Sequence, residues 1–170
     1  MWIFGYGSLM WRPGFDYEQR EIAFLHHYAR ELWQGSPDHR GVPDAPGRVA
    51  TLVARDDAVC AGLAFRVCAS ERHRILRELD EREQGGYERL DVDVRLADGT
   101  TERALTYIGY PDNPHYLGPA TFESMVSTVA QSHGPSGANR DYVLELVRTL
   151  RALQLSDPPM ERLGAALAVP

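Results

Sequence analysis

The chain reads as an α+β protein built on a strongly curved sheet or small barrel, and three observations point there. Its first half is a succession of short apolar, β-branched and aromatic runs, the composition of strands. Residues 90–108 alternate Leu90, Val92, Val94 and Leu96 with charged residues and then turn at Asp98-Gly99, the pattern of a hairpin with one wet face. Helical periodicity also appears, interspersed with and following these strands, so strands and helices belong to one mixed architecture.

In chain order, Trp2 to Phe4 is a short apolar strand and Glu21 to Trp33 a longer one. Residues 34–48, QGSPDHRGVPDAPGR, hold three prolines and three glycines and predict a long irregular loop, a kind of segment often functional in compact domains. Arg48 to Val53 and Val59 to Val67 predict two further strands, followed after the first helix by the 90–108 hairpin. Helices are expected over Ser70 to Gln84, over Ala120 to His133 with Phe122, Met125, Val126 and Val129 on one side, and over Asn139 to Leu153 with Val143, Leu146, Val147 and Leu150. Gly85-Gly86 and Gly134-Pro135 stop the first two. The tail from Ser156 to Pro170 has room for one short helix.

Bulk properties narrow the function classes. At 170 residues and 44% hydrophobic, the chain suits one well-buried core, and residues 1–170 are expected to form a single domain. Its 18 basic residues, all arginine, against 24 acidic ones give a net charge of -6, with no basic stripe to meet nucleic-acid phosphates. No stretch approaches the ~20 apolar residues of a membrane span, and the N-terminus has no signal-peptide pattern. Neither nucleic acid, membrane nor an obligate protein partner is expected, and the predicted location is cytoplasmic. Cys60 and Cys68 fall in one apparent strand, ~26 Å apart at strand rise and far beyond the ~7 Å reach of a disulfide, which makes them buried thiols. The six histidines fall in no metal-binding pattern, so no metal is expected.

Two places break the pattern. Ile75, Leu76 and Leu79 define the apolar stripe of the first helix, and its next step falls on Glu83, where Leu or Ala is expected. Glu78, Glu81 and Arg82 read as the solvated face. The pattern leaves two placements open for Glu83: turned to solvent by fraying at Gln84, or held against the core in the last turn. In the second, desolvation and the helix dipole both raise its pKa and make it a better proton acceptor. Asp80 is a weaker competitor on the same face. The other break is Gly5-Tyr6-Gly7-Ser8-Leu9, where the first strand stops in a glycine-rich turn. Its backbone N–H groups could form a nest for a carboxylate or oxyanion. Ser8 lacks the G-x-S-x-G elbow, because Met10 stands where that motif has glycine.

FGYGSLMW, WQGSPDHRGVPDAPGRVATLV, LDEREQGGYER, YIGYPDNPHYLGPA and GPSGANRDYV follow in this order from Trp2 to about Leu153. Together they resemble the ChaC family of glutathione-specific γ-glutamylcyclotransferases. The departures are slight: Met10 where isoleucine is common, and Asp44-Ala45 in the proline-rich loop. The resemblance implies a γ-glutamylcyclotransferase-like small mixed β-barrel with packed helices. It places the substrate loop on Ile3, Phe4, Gly5, Tyr6, Gly7, Ser8 and Leu9, the catalytic glutamate on Glu83, and a pocket-lining aromatic on Tyr142. The implied reaction releases 5-oxoproline and Cys-Gly from glutathione and needs no cofactor. Arg40 in the proline-rich loop is a candidate to meet the glycyl carboxylate. Two alternatives stay beside this expectation: a cyclotransferase for other γ-glutamyl amino acids or amines, and a non-enzymatic regulator of cation transport.

Overall fold

The structure, a computed structural model, describes residues 1–168 and divides into two compact units. The first comprises Met1–Arg30 and Leu52–Tyr110; the second comprises Glu31–Thr51 and the chain from Pro111 onward. Two long strands pass through this division, β2 (Gln19–Ser36) and β3 (Gly47–Arg66).

A closed barrel of mixed pairing organises the first unit. Its strand order is β1 (Trp2–Gly5), β3, β2, β4 (Tyr87–Leu96) and β5 (Thr101–Gly109). β1 lies antiparallel to β3, with Phe4 opposite Ala64, and closes the barrel by pairing parallel to β5, with Ile3 opposite Leu105. Every residue of β1 is buried, Ile3 and Phe4 wholly so, as expected of a short apolar strand with both edges paired and both faces covered. Burying each such side chain is worth about 1.5–3 kcal/mol. The β4–β5 hairpin turns where its residues require it, with Gly99 at φ +89° and the Asp98 carboxylate accepting the Thr100 N–H at 2.9 Å. Helix α1 (Arg72–Arg82) follows a single 3-10 turn and buries Ile75, Leu76 and Leu79.

Two expectations change here. The strands over 48–53 and 59–67 are one strand, β3, because residues 54–57 continue it with their side chains in solvent. Backbone ladder bonds carry a strand through such a polar stretch, which side-chain periodicity cannot register. Cys60 is buried and in no disulfide, whereas Cys68 lies beyond the end of β3, partly exposed, with its Sγ 3.1 Å from Ser70 Oγ.

The second unit contains α2 (Phe122–Gln131), α3 (Asn139–Ala152), α4 (Pro158–Ala168) and a miniature hairpin of β6 (His133–Gly134) and β7 (Gly137–Ala138). Thr121 caps α2 by accepting the Ser124 N–H. The α3 stripe Tyr142, Val143, Leu146, Val147 and Leu150 is buried, as are Met160, Leu163 and Leu167 of α4. Of the expected α2 stripe only Val129 is buried. The tail helix is thus eleven residues long; Val169 and Pro170 lie outside the described residues. Asn139 is fully buried and ties α3 to β3, accepting the Arg48 N–H at 2.6 Å and donating to the Arg48 carbonyl at 2.8 Å.

Candidate active site

Where β1 ends, the chain turns at Tyr6-Gly7 into a single-turn 3-10 helix, Ser8–Met10. Three anchors fix this turn. The Tyr6 hydroxyl donates to the Tyr107 carbonyl at 2.7 Å, the Arg30 Nε donates to the Tyr6 carbonyl at 2.7 Å, and the Arg82 Nη2 donates to Ser8 Oγ at 2.8 Å. Tyr6, Leu9 and Met10 are buried, leaving Gly7 and Ser8 as the partly open residues. Ile3 and Phe4, predicted to belong to the substrate loop, keep their side chains in the barrel core, and Gly5 is buried at the end of β1. A Cβ on Gly5 would lie 2.8 Å from the Leu9 Cβ, so glycine here lets the turn fold back on its own strand.

The turn is not a nest in the strict sense, since neither Gly5 nor Gly7 has positive φ. The donors arise differently. The first bond of the 3-10 helix runs from the Met10 N–H to the Gly7 carbonyl at 2.9 Å, so the N–H groups of Ser8 and Leu9 precede that ladder and are not consumed by it.

Glu83 caps the C-terminus of α1: its N–H donates to the Leu79 carbonyl at 2.8 Å and its carbonyl accepts the Tyr87 N–H at 3.2 Å. The second of these bonds and Gly86, at φ +99°, turn the chain into β4. The carboxylate is drawn inward, with a side chain only 17% exposed. Burial pushes its pKa above the ordinary glutamate value, and Arg82 pulls part of the way back. The Arg82 Nε stands 3.4 Å from Glu83 Oε1 while Nη1 donates to the carbonyls of Arg12 and Pro13 at 2.7 and 3.1 Å. One guanidinium therefore spans the carboxylate, the Ser8 hydroxyl and the segment following the turn. Periodicity placed Arg82 on the solvated face; its long side chain instead wraps back, and it is 26% exposed.

Asp80 is committed elsewhere. It accepts the Tyr107 hydroxyl at 2.8 Å and the Arg89 Nε at 2.7 Å, with a second contact from Arg89 Nη2, and the Arg89 hydrogen bonds hold its pKa below the usual aspartate value. Tyr107 is pushed well up by burial and by Asp80.

Sequence reasoning also missed Arg30, which is 4% exposed and reaches the Ala61 carbonyl as well as Tyr6. The reason lies in β2. Ala23 and Leu25 point inward at odd positions, but Arg30, Leu32 and Gln34 point inward at even ones. Between them His27 adopts φ +66°, a bulge-like step that reverses the inward phase. An unexpected positive-φ residue leaves little trace in a sequence; the adjacent His26-His27 is the only hint.

The other two predicted site residues belong to the second unit. Tyr142 is 5% exposed, and its hydroxyl accepts the Ala50 N–H at 3.1 Å. Arg40 lies over the Tyr142 ring, 5.7 Å from its centroid, and donates to the Ala138 carbonyl at 3.2 Å. Among the described residues no three His, Cys, Asp or Glu side chains cluster as a metal site, and no helix is long and apolar enough to cross a membrane.

A mixed five-stranded barrel that presents a glycine-rich turn beside an enclosed glutamate is the architecture of the γ-glutamylcyclotransferase fold. A solved structure of a yeast γ-glutamylcyclotransferase specific to glutathione superposes with a TM-score of 0.92 at 29% identity, covering 98% of this chain and 95% of that one. The model of the ChaC-like protein family matches residues 1–168. Among curated relatives, glutathione-specific γ-glutamylcyclotransferase 1 of Danio rerio is 41% identical over 98% of this chain and 88% of its own length. γ-Glutamylcyclotransferase 2-3 of Arabidopsis thaliana is 39% identical over 92% of this chain and 83% of its own length. The chain belongs to the ChaC-like family.

Proposed function

We propose that this protein is a glutathione-specific γ-glutamylcyclotransferase in which Glu83 relays the proton and the Tyr6–Leu9 turn holds the developing negative charge. The observation that carries the reading is the enclosed Glu83 carboxylate joined through Arg82 to Ser8 of that turn. Membership of a family whose relatives bear the glutathione-specific name supports the substrate.

The chemistry sets two requirements. The substrate's α-amine must lose a proton to attack its own γ-carbonyl, and the departing cysteinyl nitrogen must gain one. A carboxylate with raised pKa meets both: Glu83 accepts the proton as the N–C bond forms and returns it as the γ-glutamyl C–N bond breaks. The products are 5-oxoproline and Cys-Gly, with no net proton or electron exchanged. No cofactor is required for that balance. Between the two steps, the carbonyl oxygen carries negative charge that the Ser8 and Leu9 N–H groups are placed to receive. Holding amine and carbonyl in a near-attack arrangement exploits an effective molarity of up to ~10⁵–10⁸ M, and the relay adds about 10²–10⁴ in rate.

Ser8 serves through its backbone. Its hydroxyl accepts from Arg82, and among the described residues no histidine is one of its hydrogen-bond partners. Arg40 and Tyr142 remain proposed substrate contacts, Arg40 for the glycyl carboxylate, although both now hold bonds within their own unit. We further read residues 1–170 as one working domain acting in the cytoplasm, on the support of β2 and β3 passing through both units and of two cysteines that form no disulfide.

Incubation of the purified protein with glutathione tests the reading. Equimolar 5-oxoproline and Cys-Gly are expected, with no reaction of N-acetylglutathione, whose nucleophile is blocked. Free glutamate as first product, or oxygen from labelled water in the new carbonyl, would identify a hydrolase. Faster turnover of γ-glutamylalanine than of glutathione would favour the broader cyclotransferase, and no turnover of either would favour the transport-regulator alternative.

A further inference from the structure

The second unit contains a cleft of about 390 Å³ lined by Pro46, Arg48, Leu117, Thr128, Gln131 and Ser132, among others. Among the described residues Arg48 is the one charged group in its lining. This arginine is 8% exposed; its Nη1 donates to the carbonyls of Leu32 at 3.0 Å and Gly118 at 2.8 Å, and its buried Nε has no hydrogen-bond partner. Among the described residues no carboxylate pairs with it, and burial pushes its pKa down. A buried charge is ordinarily paired, because leaving water uncompensated is costly. The two carbonyls satisfy hydrogen bonds but neutralise nothing.

We propose that this cleft is a binding site for a small monocarboxylate, whose carboxylate pairs with Arg48 and whose body rests between Pro46 and Leu117. The size is that of a small-molecule site. A single cation, in a protein of net charge -6, suits a monoanion better than a phosphate dianion, which calls for several positive groups. Thr128 and Gln131 offer hydrogen-bonding groups to a polar portion such as a peptide amide, while Ser132 already donates to the Pro46 carbonyl at 3.3 Å. The acid is either the substrate's own free carboxylate, bound here in place of the Arg40 contact proposed above, or a separate metabolite, and neither source depends on the role of Glu83, since binding is read without turnover.

The probe is N-acetylglycine, a carboxylate joined to one amide, with N-acetylglycinamide as its uncharged counterpart and inorganic phosphate as the dianion. At constant ionic strength, isothermal titration and thermal shift should show saturable binding of N-acetylglycine and none of the other two. Replacing Arg48 itself endangers the fold, so the variant is Gln131→Glu, which supplies an internal carboxylate to the same cleft. It should weaken N-acetylglycine binding about tenfold or more, whereas Ala130→Glu, the same charge one residue away and outside the lining, should leave binding unchanged. Competition with glutathione in the cyclisation assay would identify the substrate's carboxylate as the occupant; binding that leaves the KM for glutathione unaltered would identify a separate acid. Equal responses to the acid and its amide, or equal binding by the parent and Gln131→Glu, would overturn the site.

Discussion

Asp80 and Glu83 stand three residues apart at the end of one helix, yet each has an arginine beside it for opposite ends. At Asp80 the Arg89 guanidinium and the Tyr107 hydroxyl satisfy the carboxylate directly, in a corner where its side chain is 46% exposed, and its pKa falls. At Glu83 the arginine directs its strong hydrogen bonds to Ser8, Arg12 and Pro13 and leaves the carboxylate at 3.4 Å, while burial raises its pKa. What distinguishes the two carboxylates is thus how completely their neighbours satisfy them: one held tightly in its charged form is a poor base, and one held loosely in a dry place is a better one, as the proposed relay at Glu83 needs.

The largest effect that would sharpen this contrast is the loss of turnover in Glu83→Gln. The amide keeps the shape and relays no proton, so kcat should fall about 10²–10⁴-fold with KM little changed. Linkage gives the same variant a second signature. A raised pKa in the folded state means that folding penalises the charged form relative to the neutral one: Glu83 stabilises fully below its unfolded pKa, and that contribution is lost as pH rises through the folded value. Glu83→Gln should therefore melt above the parent at neutral pH, with the gap closing in acid. Lower stability at neutral pH would show that the charged carboxylate is better satisfied than its surroundings suggest.

Arg82→Met removes the bracket between carboxylate and turn. A misplacement of about 1 Å can cost ~10² in rate, and kcat/KM should fall between about tenfold and that limit. The acid limb of the pH–rate profile should move to higher pH, because Arg82 holds the Glu83 pKa down. A smaller loss is expected of Gly5→Ala, whose new Cβ must displace Leu9 from 2.8 Å, and a smaller one still of Ser8→Ala, which keeps the backbone donors. A trapped acyl-serine in the parent would reverse that order.

The smallest effect on turnover belongs to Asp80→Asn, with activity close to the parent. It should lose roughly 1 kcal/mol or less of stability, the range of a partly exposed ion pair. The sign is opposite to that of Glu83: the folded pKa is depressed, so the contribution is present above the unfolded pKa and is lost as pH falls through the folded value. Chemical denaturation of both variants at neutral and acid pH measures the two signs together.

Much of the architecture was legible because it is written in period. The 90–108 hairpin turns at Asp98-Gly99, and α3 covers Asn139–Ala152 against an expected 139–153. The step in the stripe at Glu83 was visible for the same reason. Arg82 and Arg30 were hidden because flexible side chains do not follow the face of their Cα atoms, and because one left-handed residue, His27, reversed the phase of β2. Barrel closure by the parallel β1–β5 pair joins residues about a hundred positions apart, and nothing local encodes it.

Burial makes Glu83 a stronger base than an ordinary glutamate, whereas the Arg89 hydrogen bonds make Asp80 a weaker one than an ordinary aspartate. Carboxyl ¹³C NMR titration of the labelled protein reads both groups in one experiment, with Glu83→Gln and Asp80→Asn assigning the signals. Glu83 should titrate above, and Asp80 below, the ordinary value for its type. Titration of Glu83 at or below the ordinary glutamate value would contradict the account, because the proton acceptor the mechanism requires would be absent.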